Sequence, residues 1–128
     1  MPGARNQFRK AAFTVSDGDK RAEITVIDLE PGSGDLLANV NRWRDQVGLS
    51  PITAADLATN VKKIETLGTH GDYVELVGPT GVAQRKTILG VMAAAGGRVW
   101  FIKLLGDADL AQREKPRFEA FVKSLALP

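Results

Sequence analysis

The segment Asp35-Leu-Leu-Ala-Asn-Val-Asn-Arg-Trp-Arg-Asp-Gln-Val-Gly48 decides which fold this sequence adopts. Its apolar stripe recurs at steps of four, three and four residues, which is the spacing of one face of an amphipathic helix. The residues of that stripe are Leu36, Val40, Trp43 and Val47. The pattern predicts one helix from about Asp35 to Gly48 that lies with its apolar stripe on a sheet.

The rest of the chain supplies the strands of such a sheet. Alternating or continuous apolar stretches are bounded by turn signals such as Ser16–Asp19 and Gly96–Gly97. A strand is favoured for Lys62–Leu67, with a continuation of the preceding helix as the alternative. Gly68–Asp72 is predicted as a turn and Gly78–Lys86 as a loop. The predicted strands are Phe8–Val15, Ala22–Leu29, Lys62–Leu67, Tyr73–Val77, Thr87–Ala95 and Val99–Leu105.

Two more helical regions are predicted from capping residues and spacing. A short second helix follows over Ala54–Val61, and a last helical region runs towards the end of the chain. Pro116 fits either the first position of a last helix or a kink. The predicted capping residues are Ser33 or Asp35, Thr53 and Asp107. The apolar stripe of the last helix consists of Phe118, Phe121, Val122 and Leu125.

Two neighbouring strands, Thr87–Ala95 and Val99–Leu105, are apolar on both faces apart from Lys103. A sheet with one wet face would alternate between apolar and polar residues, so both faces of these strands are expected to be covered. The predicted helices are the available covers. The predicted fold class is therefore α/β (α+β), with a mainly antiparallel sheet of about six strands covered by helices on both faces in three layers.

Composition narrows the class of protein. The 128 residues predict a lead-in over residues 1–7 and a single α/β domain over residues 8–128. A net charge of +2 is too small to indicate nucleic-acid binding, and the lack of cysteine excludes disulfides and thiolate metal sites. No apolar run approaches the roughly 20 residues that span a bilayer. Met1–Asn6 has no apolar signal core, so export would require a signal that has been removed.

Three blocks of the sequence resemble a family of uncharacterised bacterial domains. Leu36–Leu49 is similar to a family signature that reads approximately LLANVNRWRGQ, with Asp45 in place of the expected small residue. Leu89–Met92 with Gly96–Gly106 resembles the second block of that family, and Glu114–Leu125 resembles the third. Members often follow an export or lipoprotein signal, so the resemblance implies an envelope location. The order of elements is also similar to the PsbP/Mog1-like fold, and neither resemblance implies an activity or a cofactor.

The polar residues of the first helix form the main candidate binding surface. Asn39 and Asn41 are poor helix formers, and each costs a few tenths of a kcal/mol relative to alanine. They serve either an internal hydrogen-bond network or an external ligand. Arg42 and Arg44 beside Trp43 have the chemistry to clamp an anion or to stack on a ring. The alternative interpretation, favoured for Trp43, is that the indole belongs to the core.

Other side chains carry weaker indications of chemistry. His70, with Asp72 or Asp17, is the candidate general base of a small hydrolase-like enzyme, although a solvated turn histidine is the more common case. An acidic group near the first hairpin has the chemistry to bind a hard cation, but its spacing matches no EF-hand loop and no metal site is predicted. A basic group could form a weakly basic surface, but it lacks the aromatic residues of a nucleic-acid site. The acidic group is Asp17, Asp19, Asp28, Glu30 and Asp35, and the basic group is Lys62, Lys63, Arg85, Lys86 and Arg98.

The sequence therefore predicts a protein of unknown function that acts as a non-catalytic interaction or accessory module of the periplasm or cell envelope. It is expected to bind a protein partner or a small anionic ligand, without a cofactor or nucleic acid, and with no transmembrane segment. The expected surface consists of Asn39, Asn41, Arg42, Trp43 and Arg44. The alternatives are the His70 enzyme and a structural subunit of an envelope assembly. A cytoplasmic location is the alternative to the envelope.

Overall fold

The computed structural model describes residues 11–127 of the chain. The predicted lead-in over residues 1–7 and the first three residues of the predicted strand Phe8–Val15 lie outside these described residues. The helices are α1 (Leu36–Gln46), α2 (Ala54–Asn60) and α3 (Ala108–Ser124), and a 3-10 turn occupies Pro31–Ser33. The strands are β1 (Ala11–Asp17), β2 (Lys20–Leu29), β3 (Lys62–Thr66), β4 (Thr69–Val77), β5 (Lys86–Ala95) and β6 (Arg98–Asp107).

The six strands form one sheet in the order β1-β2-β6-β5-β4-β3, and every neighbouring pair is antiparallel. The predicted fold class is confirmed as an α+β arrangement of an antiparallel sheet with three helices. Strand β3 confirms the preferred interpretation of Lys62–Leu67. The more specific PsbP/Mog1-like assignment stays a prediction. None of the helices within residues 11–127 is both long enough and apolar enough to cross a membrane.

The core is divided into two layers, one on each face of the sheet. On one face, Leu110, Phe118 and Val122 of α3 pack over the odd-numbered side chains of β5, such as Val91. On the other face, Trp43 of α1 and its neighbours pack over the even-numbered side chains of the same strand. Because successive side chains along a strand point to opposite faces, β5 and β6 contribute side chains to both layers.

One predicted turn was wrong. Gly68–Asp72 was predicted as a turn, but β4 already begins at Thr69, and the reversal is completed by Leu67 and Gly68 alone. Both residues have a positive φ, 54° for Leu67 and 77° for Gly68, which matches the twist of a two-residue hairpin. Leu67 is an unusual residue for that conformation, and its side chain is buried in the α3 layer. Burial of an apolar side chain therefore outweighs the local turn preference that the sequence analysis used.

Helix α3 is one continuous helix of 17 residues with Pro116 inside it. Of the two predicted roles for Pro116, a helix start is therefore wrong. Proline has no N–H, so the carbonyl of Gln112 loses its usual intrahelical donor. The apolar stripe on both sides of Pro116, from Leu110 to Val122, is fully buried and holds the helix together across this gap.

The predicted caps are partly confirmed. Thr53 Oγ1 accepts from the N–H of Asp56 at 3.2 Å, and Asp107 Oδ1 accepts from the N–H of Leu110 at 3.0 Å. Asp35 is the N-cap residue of α1, but its side chain makes no capping hydrogen bond. The entrance to α1 is instead held by Asn39, as described below.

Gly90→Ala should test the contact that seats α1 on the sheet. A Cβ at Gly90 would lie within 2.8 Å of Cε3 of Trp43, too close for real atoms. We expect a loss of about 1–3 kcal/mol in the free energy of unfolding, measured by urea denaturation. Gly32→Ala is the matched control, because nothing lies within 4 Å of its Cβ position. A destabilisation that Trp43→Phe does not partly relieve in the double variant would contradict this account.

Candidate functional site

Asn39 of α1 is 5% exposed, and its side chain faces the entry turn of the helix and β5. Its Nδ2 donates to the carbonyls of Ser33 at 2.9 Å and Asp35 at 2.7 Å, and it lies 3.9 Å from Sδ of Met92. Its Oδ1 accepts from a guanidinium nitrogen of Arg42 at 2.7 Å. The amide therefore uses both its donor and its acceptor inside the protein, where it fixes the entry turn to the helix.

Asn41 and Arg44 perform a similar task on the other flank of α1. Nδ2 of Asn41 donates to the carbonyl of Ile52 at 3.1 Å, and its Oδ1 accepts from the N–H of the same residue at 2.9 Å. Nε of Arg44 donates to the carbonyl of Ser50 at 2.6 Å. These bonds hold the connection between α1 and α2. The sequence left two roles open for Asn39 and Asn41, an internal hydrogen-bond network or an external ligand. The internal network accounts for the hydrogen bonds of both side-chain amides.

The predicted binding surface on α1 is not one continuous site. Arg42 and Arg44 are two positions apart, which separates them by about 200° around the helix axis. Trp43 is 3% exposed, and its ring packs on Gly90 and edge-on against Phe101, with ring centroids 6.3 Å apart. The indole is a core residue, as favoured from the sequence, and offers no accessible face to a ligand. Ligand binding by the remaining residues stays a prediction.

His70 is exposed and lies in β4, directly opposite Glu65 of β3. Asp72 is on the same face of β4, but its carboxylate is 2.5 Å from Nζ of Lys63 and is committed to that ion pair. Asp17 is in β1, four strand spacings or about 19 Å away across the sheet. Asp17 is therefore excluded as a partner for the imidazole.

The acidic and basic groups considered in the sequence are dispersed. Asp17 pairs with Arg113 at 2.6 Å, and Asp28 pairs with Arg98 at 3.1 Å. Lys86 begins β5, whereas Arg98 pairs with the last residue of that strand, about 30 Å away. Within residues 11–127, no three His, Asp or Glu side chains converge as metal ligands would. Neither a cation site nor a single basic surface is formed by these residues.

A groove of about 690 Å³ lies between α3 and the β3–β4 edge of the sheet, and the sequence analysis did not identify it. We call it the β3–α3 groove. Its lining includes Lys62, Tyr73, Glu75, Lys115, Glu119 and Lys123. The signal that could have revealed it is the recurrence of Lys115, Glu119 and Lys123 at intervals of four, which places them on one flank of α3. Which strand this flank would face was not readable from the chain alone.

The floor of the groove is polar but internally paired. The hydroxyl of Tyr73 donates to a carboxylate oxygen of Glu119 at 2.9 Å. Burial is the main reason that the pKa of the Tyr73 phenol lies well above its ordinary value of 10.0, and the carboxylate of Glu119 raises it further. Lys115 Nζ lies 2.7 Å from Glu75, and that hydrogen bond raises the pKa of the ammonium. Both groups therefore keep their protons throughout the physiological pH range.

Asn39→Ala and Asn41→Ala should each destabilise the protein. Removal of either amide leaves backbone groups without their partners, so we expect about 1–3 kcal/mol lower free energy of unfolding for each variant. Asp45→Ala is the control, because Asp45 is an exposed residue of the same helix and takes no part in the network. Chemical denaturation measures all three. Asparagine variants with unchanged stability would show that the network does not hold the helix in place.

Tyr73 is the only tyrosine, so the ultraviolet absorbance of tyrosinate reports on this residue alone. Because its folded pKa is raised, stability should be complete below pH 10.0 and should fall as the pH rises above that value. We expect the phenol to ionise only as circular dichroism records unfolding. Tyr73→Phe should show a shallower alkaline decline. Ionisation of the phenol near pH 10.0 in a fully folded chain would contradict the burial argument.

Comparison with known proteins adds information on the fold alone. No known family and no curated protein matches the chain. A crystal structure of a Pseudomonas aeruginosa protein of unknown function, PA94, described as a candidate regulator, superposes with a TM-score of 0.55 at 11% identity. The match covers 92% of this chain and 82% of that protein. At this identity the likeness shows a similar fold, and the resemblance to an exported bacterial family stays a prediction.

Proposed function

We propose that this protein is a non-catalytic binding module that holds a small anion, a carboxylate or a phosphate, in the β3–α3 groove. The observation that carries the proposal is a pair of exposed lysines in the lining of the groove. Lys62 and Lys123 line it, are exposed, and have no acidic partner among residues 11–127. An anion that enters the groove meets two ammonium groups that form no ion pair with a carboxylate of the described residues.

The remaining charges of the groove are of both signs. Lys115 is neutralised by Glu75, Glu119 accepts a hydrogen bond from the hydroxyl of Tyr73, and Glu65 is a further carboxylate in the lining. These pairs fix the side chains of the floor and leave Lys62 and Lys123 as the adjustable cations. Since an ammonium is a mobile point charge, the two lysines are suited to attract an anion without imposing the planar geometry that arginine imposes.

Several features favour binding over catalysis. The exposed imidazole of His70 is not hydrogen-bonded to a carboxylate among residues 11–127, because Asp72 is bonded to Lys63 and Glu65, directly opposite in β3, makes no bond to it. A general base of that kind works best when a second group holds its tautomer and orientation. The asparagines of α1 are likewise occupied by the backbone of the protein itself. The groove is therefore a better candidate site than either the histidine or the helix.

A thermal-shift screen with phosphate, sulfate and a series of mono- and dicarboxylates tests the proposal. A ligand at a hundred times its Kd adds about 2.7 kcal/mol, which corresponds to an upward shift of several degrees. We expect Lys62→Gln and Lys123→Gln each to reduce that shift by more than half. Lys86→Gln, an exposed lysine outside the groove, should leave it unchanged.

The α1 surface is tested in the same screen. If Arg42→Gln or Arg44→Gln abolishes the shift while both groove variants retain it, the ligand binds on α1 and the groove proposal is wrong. A screen without any hit at saturating concentrations also rejects an anion as the ligand. The envelope location remains a separate prediction, and cell fractionation of the native protein decides between envelope and cytoplasm.

A further inference from the structure

The two edges of the sheet differ sharply in chemistry. The outer strand β3 carries Lys62, Lys63 and Glu65, and charged side chains of this kind protect an edge against pairing with another strand. The opposite edge, β1, has no charged residue before Asp17, no proline and no bulge in its register with β2. Charge, proline and bulge, which are the usual devices that keep an edge strand from associating, are therefore missing from residues 11–16.

The backbone of β1 presents a regular set of outward hydrogen-bonding groups. A two-residue turn joins Asp17 to Lys20, so these two residues form the closing hydrogen-bonded pair of the hairpin. Counting back in steps of two, the odd-numbered residues of β1 bond to β2. The N–H and C=O groups of Ala12, Thr14 and Ser16 consequently point away from the sheet. Within residues 11–127, no strand pairs with this side of β1.

An apolar surface adjoins the same edge on the α3 face. Phe13 is 47% exposed, and its ring meets the ring of Phe121 edge-on with centroids 5.5 Å apart. A groove of about 610 Å³ runs beside β1, and Phe13, Phe121 and Leu127 are among its lining residues. Leu127 is itself 40% exposed. Exposed aromatic and aliphatic side chains beside an open edge are suited to contact with a partner strand.

We propose that β1 pairs with β1 of a second copy of this chain, antiparallel about a two-fold axis at Thr14. This pairing joins two six-stranded sheets into one continuous sheet. Every outward N–H and C=O of Ala12, Thr14 and Ser16 meets a group of the partner, because residue 12 faces residue 16 and residue 14 faces itself. A two-fold axis requires such self-complementarity, and β1 satisfies it at each position.

Side chains on both faces agree with this register. On the α3 face, Phe13 lies opposite the partner's Val15 in the closely spaced type of antiparallel pair, where side-chain contact is strongest. On the other face, Thr14 meets the partner's Thr14, a pair that stabilises antiparallel strands. Like charges are not brought together, since Ala11–Ser16 is uncharged and Asp17 is paired with Arg113. A second copy is therefore the occupant that fits.

The expected dimer is reversible. A seven-residue edge covers less than the roughly 800 Å² per partner of a standard stable interface, so we expect a Kd in about the micromolar range. Sedimentation velocity over a range of concentrations should show a monomer–dimer equilibrium for the full chain. Thr14→Lys places two ammonium groups face to face at the axis, and it should weaken the dimer at least tenfold. Thr80→Lys, an exposed loop substitution, is the matched control and should not.

Cross-linking tests the register itself. The chain has no cysteine, so Thr14→Cys introduces a single thiol. The directly opposed Cα atoms of a hydrogen-bonded antiparallel pair are about 5.5 Å apart, within the range of a disulfide. We expect covalent dimer to form at least tenfold faster than with Thr80→Cys. A monomer at all concentrations, a dimer insensitive to Thr14→Lys, or equal cross-linking rates for the two cysteines would each overturn the proposal.

Discussion

The central strands β5 and β6 are apolar on both faces, and the helices of the protein are arranged so that both faces are shielded from water. Ile88 and Phe101 point into one layer, while Val91 and Ile102 point into the other. A helix on one side alone would leave half of these side chains in water, at about 1.5–3 kcal/mol for each. α3 on one face and α1 with α2 on the other are the two covers that the topology supplies.

The polar residues of α1 are best understood as part of that cover. A helix that lies flat on a sheet must be fixed in position at its ends as well as along its apolar stripe. Asn39 fixes the entry and Asn41 fixes the exit by reaching backbone groups that have left the regular structure. The indole of Trp43 fills the space that Gly90 leaves open, which sets the position of the helix along β5.

The sequence predicted the parts of this protein that depend on local pattern. The apolar runs in β5 and β6, the glycine turn between them and the stripe of α1 were readable because burial and period determine them directly. The turn at Leu67 and the continuous helix through Pro116 could not be predicted in this way. In both, tertiary burial outweighed the local conformational preference of the residue. The β3–α3 groove was not predicted for another reason. Tyr73 and Glu119, which are in contact there, are 46 residues apart in the sequence, and nothing in a single sequence indicates that they meet.

The pairing of β2 with β6 also limits the order in which the strands can join the sheet during synthesis. Ala22 lies opposite Gly106, so the first hairpin has no neighbour in the sheet until β6 has been synthesised. Strands β3 to β6 are joined in sequence and can form a meander as they emerge, with only short loops to close. The β1–β2 hairpin and its open edge are therefore exposed on the ribosome longer than any other part of the sheet.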